Sequence, residues 1–518
     1  MMHHVLRLSG LFLIFVVHLA AQVKKPPDPV LDEFRQYIGD KDALVRAEQV
    51  ERLGRSQTAE SVQLLITKGL MDGDSRVQER AIRTIAKFES PEARAALLQG
   101  LQHTKSEVRA GIMLGLAGQK DWSALPTKVL TGVLTGDRIP EVRSAAAEAL
   151  SQLGRKDAIP DLGKALGDRD PDVTIAAADA LALLVAGSEV VPALAPLLDS
   201  PNWRVQLAAV NALGTGRTKE SVPLLIHYLG RSEGRPQFEC KRVLGATTDQ
   251  DFELDAAKWL AWWERVQATW TPPPLKNKKA EEAKASKDGY GRKVPEYHSI
   301  PTPSKRIIFI IDVSTSMETP ILLKAGANRA GSDVHSGGTP KLAVAREELA
   351  ACLRSLDADT RINIIAFESD VRVWQPEAVT ASPGNVQLAI RWLMKQKSEK
   401  AGVQRSDGSM TGRTNSYAAL RVAYGMQAKR PEVVGGTTSG GAPSGPKPAW
   451  DTCFFLSDGA PTEGQITHIP TILEEVEKWN KTAKMVVHAI GMEEEQGLAE
   501  LMRGIARITG GKCVFVGK

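Results

Sequence analysis

A repeat of about 32 residues runs from residue 30 to about residue 265, and it decides what this part of the chain can fold into. Val45, Val77, Val108, Val142, Val173 and Val205 are spaced by 32, 31, 34, 31 and 32 residues. Eight positions after each stands Leu53, Ile85, Leu116, Leu150, Leu181 or Leu213. Eight residues is just over two helical turns, so each pair marks one buried stripe of a helix. Asp42, Asp74 and Asp170 lie three residues before their valines, where an N-cap belongs. Pro140 and Pro171 fit the first turn, where a missing N–H costs little. Small residues fill the helix middles (Ala145-Ala146, Ala176-Ala177, Ala208-Ala209) and let neighbouring helices approach, while Gly54, Gly154 and Gly214 read as helix ends. A helix pair of this size cannot bury its own apolar face. It must stack on its neighbours into a solenoid.

The Val-Arg steps (Val45-Arg46, Val108-Arg109, Val142-Arg143) and the small-residue second helix resemble HEAT repeats of the bacterial, phycobilin-lyase-like kind, over about 200 residues. Gln78, Thr174 and Gln206 replace the Arg, so an Asp–Arg ladder along the solenoid is expected to be incomplete. The resemblance implies a protein-binding scaffold and does not by itself imply lyase activity. The array ends in Trp259, Trp262, Trp263 and Trp270. These could form a carbohydrate-stacking platform, but 259, 262 and 263 share a helical face, which favours a cap sealing the last repeat. The solenoid is assigned to residues 30–268.

Composition constrains the class of partner. The net charge of +5 on 518 residues is too near balance to argue for nucleic acid. At the N-terminus Arg7 precedes an apolar stretch from Leu11 to Ala21 that ends in Ala20-Ala21. This reads as a secretory signal peptide over residues 1–21, followed by a Pro-rich segment. The expected location is therefore outside the cytoplasm, periplasmic or extracellular in a bacterial envelope. No later apolar run approaches the ~20 residues of a membrane span, so no integral segment is expected after signal removal. Three of the four cysteines, Cys352, Cys453 and Cys513, fall in apolar helix or strand patterns and read as small core residues. Residues 269–303, with Pro272-Pro273-Pro274 and a Lys/Glu/Ala stretch, read as a solvated linker.

Beyond Ser304 the pattern changes to alternating strands and helices. Strands are expected at 307–311, 362–367, 371–374, 453–456, 485–490 and 513–516, and helices at 342–356, 386–395, 416–427 and 472–479. Residues 304–518 thus form a doubly wound, mostly parallel α/β sheet, Rossmann-like in class. The whole chain is a multidomain α + α/β protein. In such sheets ligands bind beyond the carboxyl ends of the strands. There the chain places Asp312, Ser314 and Ser316 after the first strand and Ser457-Asp458-Gly459 after the strand at 453–456. Between these, Gly412-Arg-Thr414-Asn415 opens a helix. Two carboxylates and three hydroxyls, all oxygen donors, suit Mg²⁺, with Mn²⁺ or Ca²⁺ as alternatives.

Asp312, Ser314, Ser316, Thr414 and Asp458, with the phrase Leu456-Ser-Asp-Gly-Ala-Pro-Thr462, closely resemble the metal-ion-dependent adhesion site of von Willebrand factor A domains. The match extends to Gly510-Gly511 before the last strand. The resemblance implies that Ser314 and Ser316 bind the metal directly, Thr414 directly or through a water, and Asp312 and Asp458 mostly through waters. An ion held by hydroxyls keeps positive charge, and a partner's Asp or Glu is attracted to it. Arg413 departs from the usual small residue. Gly-rich insertions at 318–338 and 396–411 are expected at the ligand face, and one at 432–450 on the opposite edge.

No Walker GxxxxGK[ST] and no HExxH occurs, and Gly230-Arg-Ser232-Glu-Gly234 matches GxSxG inside an inter-helix loop, where no nucleophile elbow belongs. No catalytic or organic-cofactor residues are assigned. The sequence therefore reads as an exported, non-enzymatic interaction or adhesion protein. A component of an ATPase- or chelatase-linked assembly is the first alternative, and a metal-dependent hydrolase the second.

Overall fold

The computed structural model describes residues 28–119, 122, 125–185, 187–274, 295–322, 338–397, 403, 412–426 and 449–517. The signal segment, the middle of the linker and most of the three insertions lie outside the described residues. The chain divides into two compact units, one up to residue 124 and one from residue 125. The boundary thus falls inside the repeat array. Residues 125–274 group with the sheet domain, whereas a linker boundary at 269–303 was expected.

Both units carry the helix pairs that the valine spacing predicts. The first contains Ala43–Arg52, Ser75–Ile85 and Ser106–Leu116 as the valine-bearing helices, and the second Pro140–Gln152, Pro171–Leu184 and Trp203–Gly216. Val77, Val108, Val142 and Val173 are fully buried, as are Leu53, Ile85, Leu116 and Leu150; Val45, in the first repeat, is half-buried. Each fully buried Val or Leu side chain contributes roughly 1.5–3 kcal/mol. Asp42, Asp74 and Asp170 are N-caps, accepting from the amides of Leu44, Arg76 and Asp172 at 2.8–2.9 Å. Pro140 and Pro171 open their helices.

The residue after each valine has a job that the Arg-only reading misses. Arg46, Gln78, Arg109, Arg143, Thr174 and Gln206 each donate to the carbonyl six residues earlier, at residues 40, 72, 103, 137, 168 and 200. Those six acceptor residues (Asp40, Asp72, His103, Asp137, Asp168, Ser200) each accept, through the side chain, from the amide two positions on. The turn before every valine-bearing helix is therefore closed twice, which satisfies backbone groups that no helix can pair. Gln and Thr keep that bond. They lack the second function of Arg46 and Arg143, which form two-bonded ion pairs with Asp72 and Asp168 at 2.7–2.8 Å. The ladder is incomplete, as expected, but the turn it sits on is not.

Of the three glycines read as helix ends, only Gly154 takes the left-handed conformation, at φ +66°. Gly214 lies within Trp203–Gly216, and a Cβ there would meet Val243 Cγ1 at 2.2 Å. It is a contact glycine between neighbouring helices, and the left-handed cap falls on Arg217. The tryptophan cluster behaves as a cap. Trp259 and Trp263 of Ala256–Val266 are buried, with Phe252 edge-on to Trp259 at 5.1 Å and Trp270 edge-on to Trp263 at 5.4 Å.

In the sheet domain the strands are β1 (Arg306–Asp312), β2 (Arg361–Phe367), β3 (Val371–Val373), β4 (Val379–Thr380), β5 (Thr452–Ser457), β6 (Val486–Gly491) and β7 (Cys513–Phe515). Its helices are α1 (Lys341–Ser355), α2 (Pro383–Lys395), α3 (Ser416–Ala423), α4 (Ile469–Ala483) and α5 (Gln496–Thr509). The strand order is β7-β6-β5-β1-β2-β3, with β4 also on β2. β1, β2, β5, β6 and β7 run parallel, while β3 and β4 are antiparallel to β2. Alternate residues of β1 face opposite layers: Ile307, Phe309 and Ile311 pack with α1 and α2, and Ile308 and Ile310 with α3, α4 and α5. This is the doubly wound sheet that the continuous apolar runs imply.

Three details differ from the sequence reading. Helix α5 has no counterpart in it; Gly510, at φ +74°, ends that helix, and a Cβ on Gly511 would strike Val487 O at 1.9 Å. The helix expected at 416–427 ends at Ala423. Residues 295–303, assigned to the linker, belong to the sheet domain. Glu296–Tyr297 pairs with Ile300–Pro301 across a turn in which His298 and Ser299 both have positive φ. That turn carries Tyr297 into the core, 5.6 Å from Phe309 and 5.4 Å from Phe454.

Candidate functional site

β1 lies between β2 and β5, so the connections leaving β1 and β5 diverge at their carboxyl ends. This is the topological switch point where open α/β sheets bind ligands. β1 ends in Asp312, which is completely buried. Its Oδ1 accepts from the amide of Ser314 at 2.8 Å, and its Oδ2 accepts from Ser457 Oγ at 2.5 Å. Both oxygens of this carboxylate are thus occupied in shaping the two loops. Ser314 Oγ and Ser316 Oγ lie 3.1 Å apart, and Ser316 Oγ donates to Asp458 Oδ1 at 2.7 Å. A short 3₁₀ turn, Thr315–Glu318, places Ser316 and buries Met317 beneath it.

The third loop is tied to both. Thr315 N–H donates to Gly412 O at 3.3 Å, and Thr414 exchanges backbone and hydroxyl bonds with Thr462 at 3.0 Å in each direction. Thr414 Oγ1 lies 3.9 Å from the point where a Cβ on Gly459 would stand. Asn415 caps α3, which fixes the loop's exit. All five residues picked from sequence therefore come to one edge. Asp312, Ser314, Ser316 and Asp458 form a continuous hydrogen-bonded chain, and Thr414 is held beside Gly459.

Sequence reasoning missed several members of the site. Lys341, at the start of α1 and buried, donates to Asp458 Oδ2 at 3.1 Å and pairs with Glu493 at 2.6 Å. Ser457 was read only as part of a loop, yet it orients Asp312. Glu368-Ser369-Asp370 follows β2 on the same edge, where Ser369 Oγ accepts from the Arg413 amide at 3.1 Å and Glu368 O accepts from the Asn415 amide at 2.8 Å. Their position directly after a parallel strand was the available signal. Lys341 had none, because it lies 24 positions after Met317 and only the fold brings it back.

The electrostatics of the site are unbalanced. Burial, then the neighbouring Asp458 carboxylate, push Asp312 up to about 7, against the hydrogen bonds from Ser314 and Ser457. Burial works against the charge of Lys341, but Glu493 and Asp458 outweigh it and raise its pKa. The one amine bound to the buried Asp458 is shared with the part-exposed Glu493, so a second positive charge would be stabilising. Among the described residues no group of three or more His, Cys, Asp or Glu is placed to hold an ion. A cation at this edge would have to use the hydroxyls. The donor set of carboxylate and hydroxyl oxygens fits a hard divalent ion.

Comparison with known proteins agrees with both halves of the fold. Residues 107–182, 127–201 and 159–245 match HEAT repeats, residues 77–103 match the PBS lyase HEAT-like repeat, and residues 332–515 match the von Willebrand factor type A domain. No curated protein shows significant similarity to the chain. Among solved structures, Kap121p bound to Pho4p is 16% identical with a TM-score of 0.34, over 47% of this chain and 32% of that one. The chain thus spans about a third of Kap121p. The complex of CpcE and CpcF of phycocyanin lyase from Nostoc sp. PCC7120 is 20% identical with a TM-score of 0.26, over 47% and 96%. A designed armadillo repeat protein is 23% identical with a TM-score of 0.24, over 35% and 98%. Among the described residues no helix is long and apolar enough to cross a membrane. HEAT repeats and type A domains both serve as protein-interaction scaffolds, and type A domains commonly bind a divalent metal. The chain is a run of HEAT repeats followed by a von Willebrand factor type A domain.

Proposed function

We propose that the carboxyl edge of the sheet holds Mg²⁺ and docks an acidic side chain of a protein partner, with the HEAT repeats as scaffold. The observation that carries this reading is the hydrogen-bonded chain Asp312–Ser314–Ser316–Asp458 at the switch point, with both Asp312 oxygens already occupied. Ser314 and Ser316 would hold the ion, with Thr414 direct or behind a water. Asp312 and Asp458 would act mostly through waters, and Asp312 would fix the loop. The ion supplies positive charge that hydroxyl ligands leave unneutralised, which is what attracts a carboxylate. Mn²⁺ or Ca²⁺ could take the same place.

The function is binding and not turnover. The groups in contact with the Asp312 and Asp458 carboxylates are hydroxyls, a backbone amide and the Lys341 amine, all of which donate hydrogen bonds to them. With the Arg7–Ala21 segment at its start, the protein acts outside the cytoplasm, in the bacterial envelope. Capture of a partner from envelope extract on the immobilised full chain tests the reading. Retention in Mg²⁺, release by EDTA and absence of capture by Ser316→Ala are expected. Retention unchanged by EDTA would refute metal-bridged docking.

A further inference from the structure

Corresponding helices of four successive repeats, Pro140–Gln152, Pro171–Leu184, Trp203–Gly216 and Gly234–Thr248, meet the type A domain of the same chain through side chains at equivalent repeat positions. Glu148 and Asp179, 31 residues apart, receive Lys481 Nζ at 2.5 Å and Lys484 Nζ at 2.7 Å. Asp172, Arg204 and Arg235 are spaced by 32 and 31 residues. Asp172 Oδ1 accepts from Arg204 Nη1 at 2.5 Å, and the same nitrogen donates to Thr482 O at 3.2 Å. Arg235 donates to Asp451 O at 2.7 Å and to Lys484 O, with its guanidinium 5.9 Å above the Trp203 ring.

The groups recognised in the type A domain are the end of α4, with Lys484 left-handed at φ +53°, and Asp451 at the entrance to β5. These belong to the amino-terminal edge of the sheet. The candidate metal site lies at the other end of β5, about 20 Å away for six residues at ~3.3 Å each. The negative end of the α4 dipole faces two arginines, and its two lysines face two carboxylates, so the charges match at every contact. A polar interface of this kind is weak between separate molecules. Here the 20 residues from 275 to 294 join the two parts, and a tether of that length gives an effective concentration of about 1 mM.

We infer that this face of the repeats is the mount for the chain's own type A domain, gripping the strand-start edge and leaving the metal edge outward. The segment from 275 to 294 then joins two parts that are docked on each other. This face is also closed to other proteins while the domain is docked. The inference is independent of whether the edge binds metal.

Zero-length carbodiimide coupling of the full chain tests it, followed by peptide mass spectrometry. Lys481–Glu148 and Lys484–Asp179 links are expected, with yields unchanged over a tenfold dilution and reduced severalfold in 1 M salt. The Lys305–Asp359 contact, 2.8 Å within the sheet domain, serves as the positive control. The double variant Glu148→Lys/Asp179→Lys should expand in small-angle scattering. Adding Lys481→Glu/Lys484→Glu should restore the compact form. Control links without the two inter-domain links, links that vanish on dilution, or a charge-reversed variant as compact as the wild type would overturn the inference.

Discussion

At the scale of single residues, Lys341 is the group whose role follows most directly from its surroundings. Its amine sits 3.1 Å from Asp458, with only 6% of the side chain exposed, and occupies the charge balance that a divalent ion would otherwise supply. Lys341→Gln should therefore raise Mg²⁺ affinity about tenfold, equivalent to ~1.4 kcal/mol. It should also destabilise the metal-free protein on the order of 3 kcal/mol, because a buried carboxylate loses its partner. Thermal unfolding in EDTA and in Mg²⁺ checks both, and the variant should regain most of its lost Tm when the metal is added. An affinity equal to that of the wild type would show that Lys341 is merely structural. Asp312 is the counter-example in sequence legibility. Its identity and place were readable from Asp-x-Ser-x-Ser after an apolar run, but its use of Ser457 was not, because that contact spans 145 residues.

At the scale of elements, the repeat turn separates two contributions that one Arg makes together. Arg143→Gln keeps a donor for the Asp137 carbonyl, as Gln78 and Gln206 do in their own turns, but loses the ion pair with Asp168. A loss of about 1–3 kcal/mol is expected by chemical denaturation, and more for Arg143→Ala, which also loses the turn bond. Equal losses for the two variants would mean the turn bond contributes nothing. The hairpin before β1 supplies a pH prediction. Burial pushes His298 down to about 3, and neither ring nitrogen has a hydrogen-bond partner among the described residues. Since the unfolded chain protonates this histidine first, its contribution is intact above pH ~6.5 and is lost as pH falls from there toward 3, by at most about 1.4 kcal/mol per unit. The denaturation midpoint of His298→Asn should fall less than that of the wild type between pH 7 and pH 5. The helix pairs, the caps at Asp42, Asp74 and Asp170, and the parallel strands were legible because period and capping chemistry are local. The hairpin was not, because Tyr297 stands in a polar, Pro-containing stretch and only its contacts with Phe309 and Phe454 make it core. Helix α5 was passed over although Leu498, Leu501, Met502 and Ile505 are all buried on one side of it.

At the scale of the whole molecule, residues 125–274 and the type A domain share one compact unit, and their contacts lie at the sheet edge remote from the candidate site. One edge of the sheet meets the repeats and the opposite edge presents oxygen donors. This division of labour suits a protein that displays a binding site on a scaffold. Metal-bridged docking requires that those donors share a cation. Titration of the full chain with Mn²⁺, followed by electron paramagnetic resonance, tests this most directly. One saturable site is expected, displaced by Mg²⁺, whose affinity falls at least tenfold in Asp312→Ala and in Ser314→Ala while circular dichroism stays unchanged. Wild-type Mn²⁺ binding in both folded variants, or no saturable site in the wild type, would contradict it.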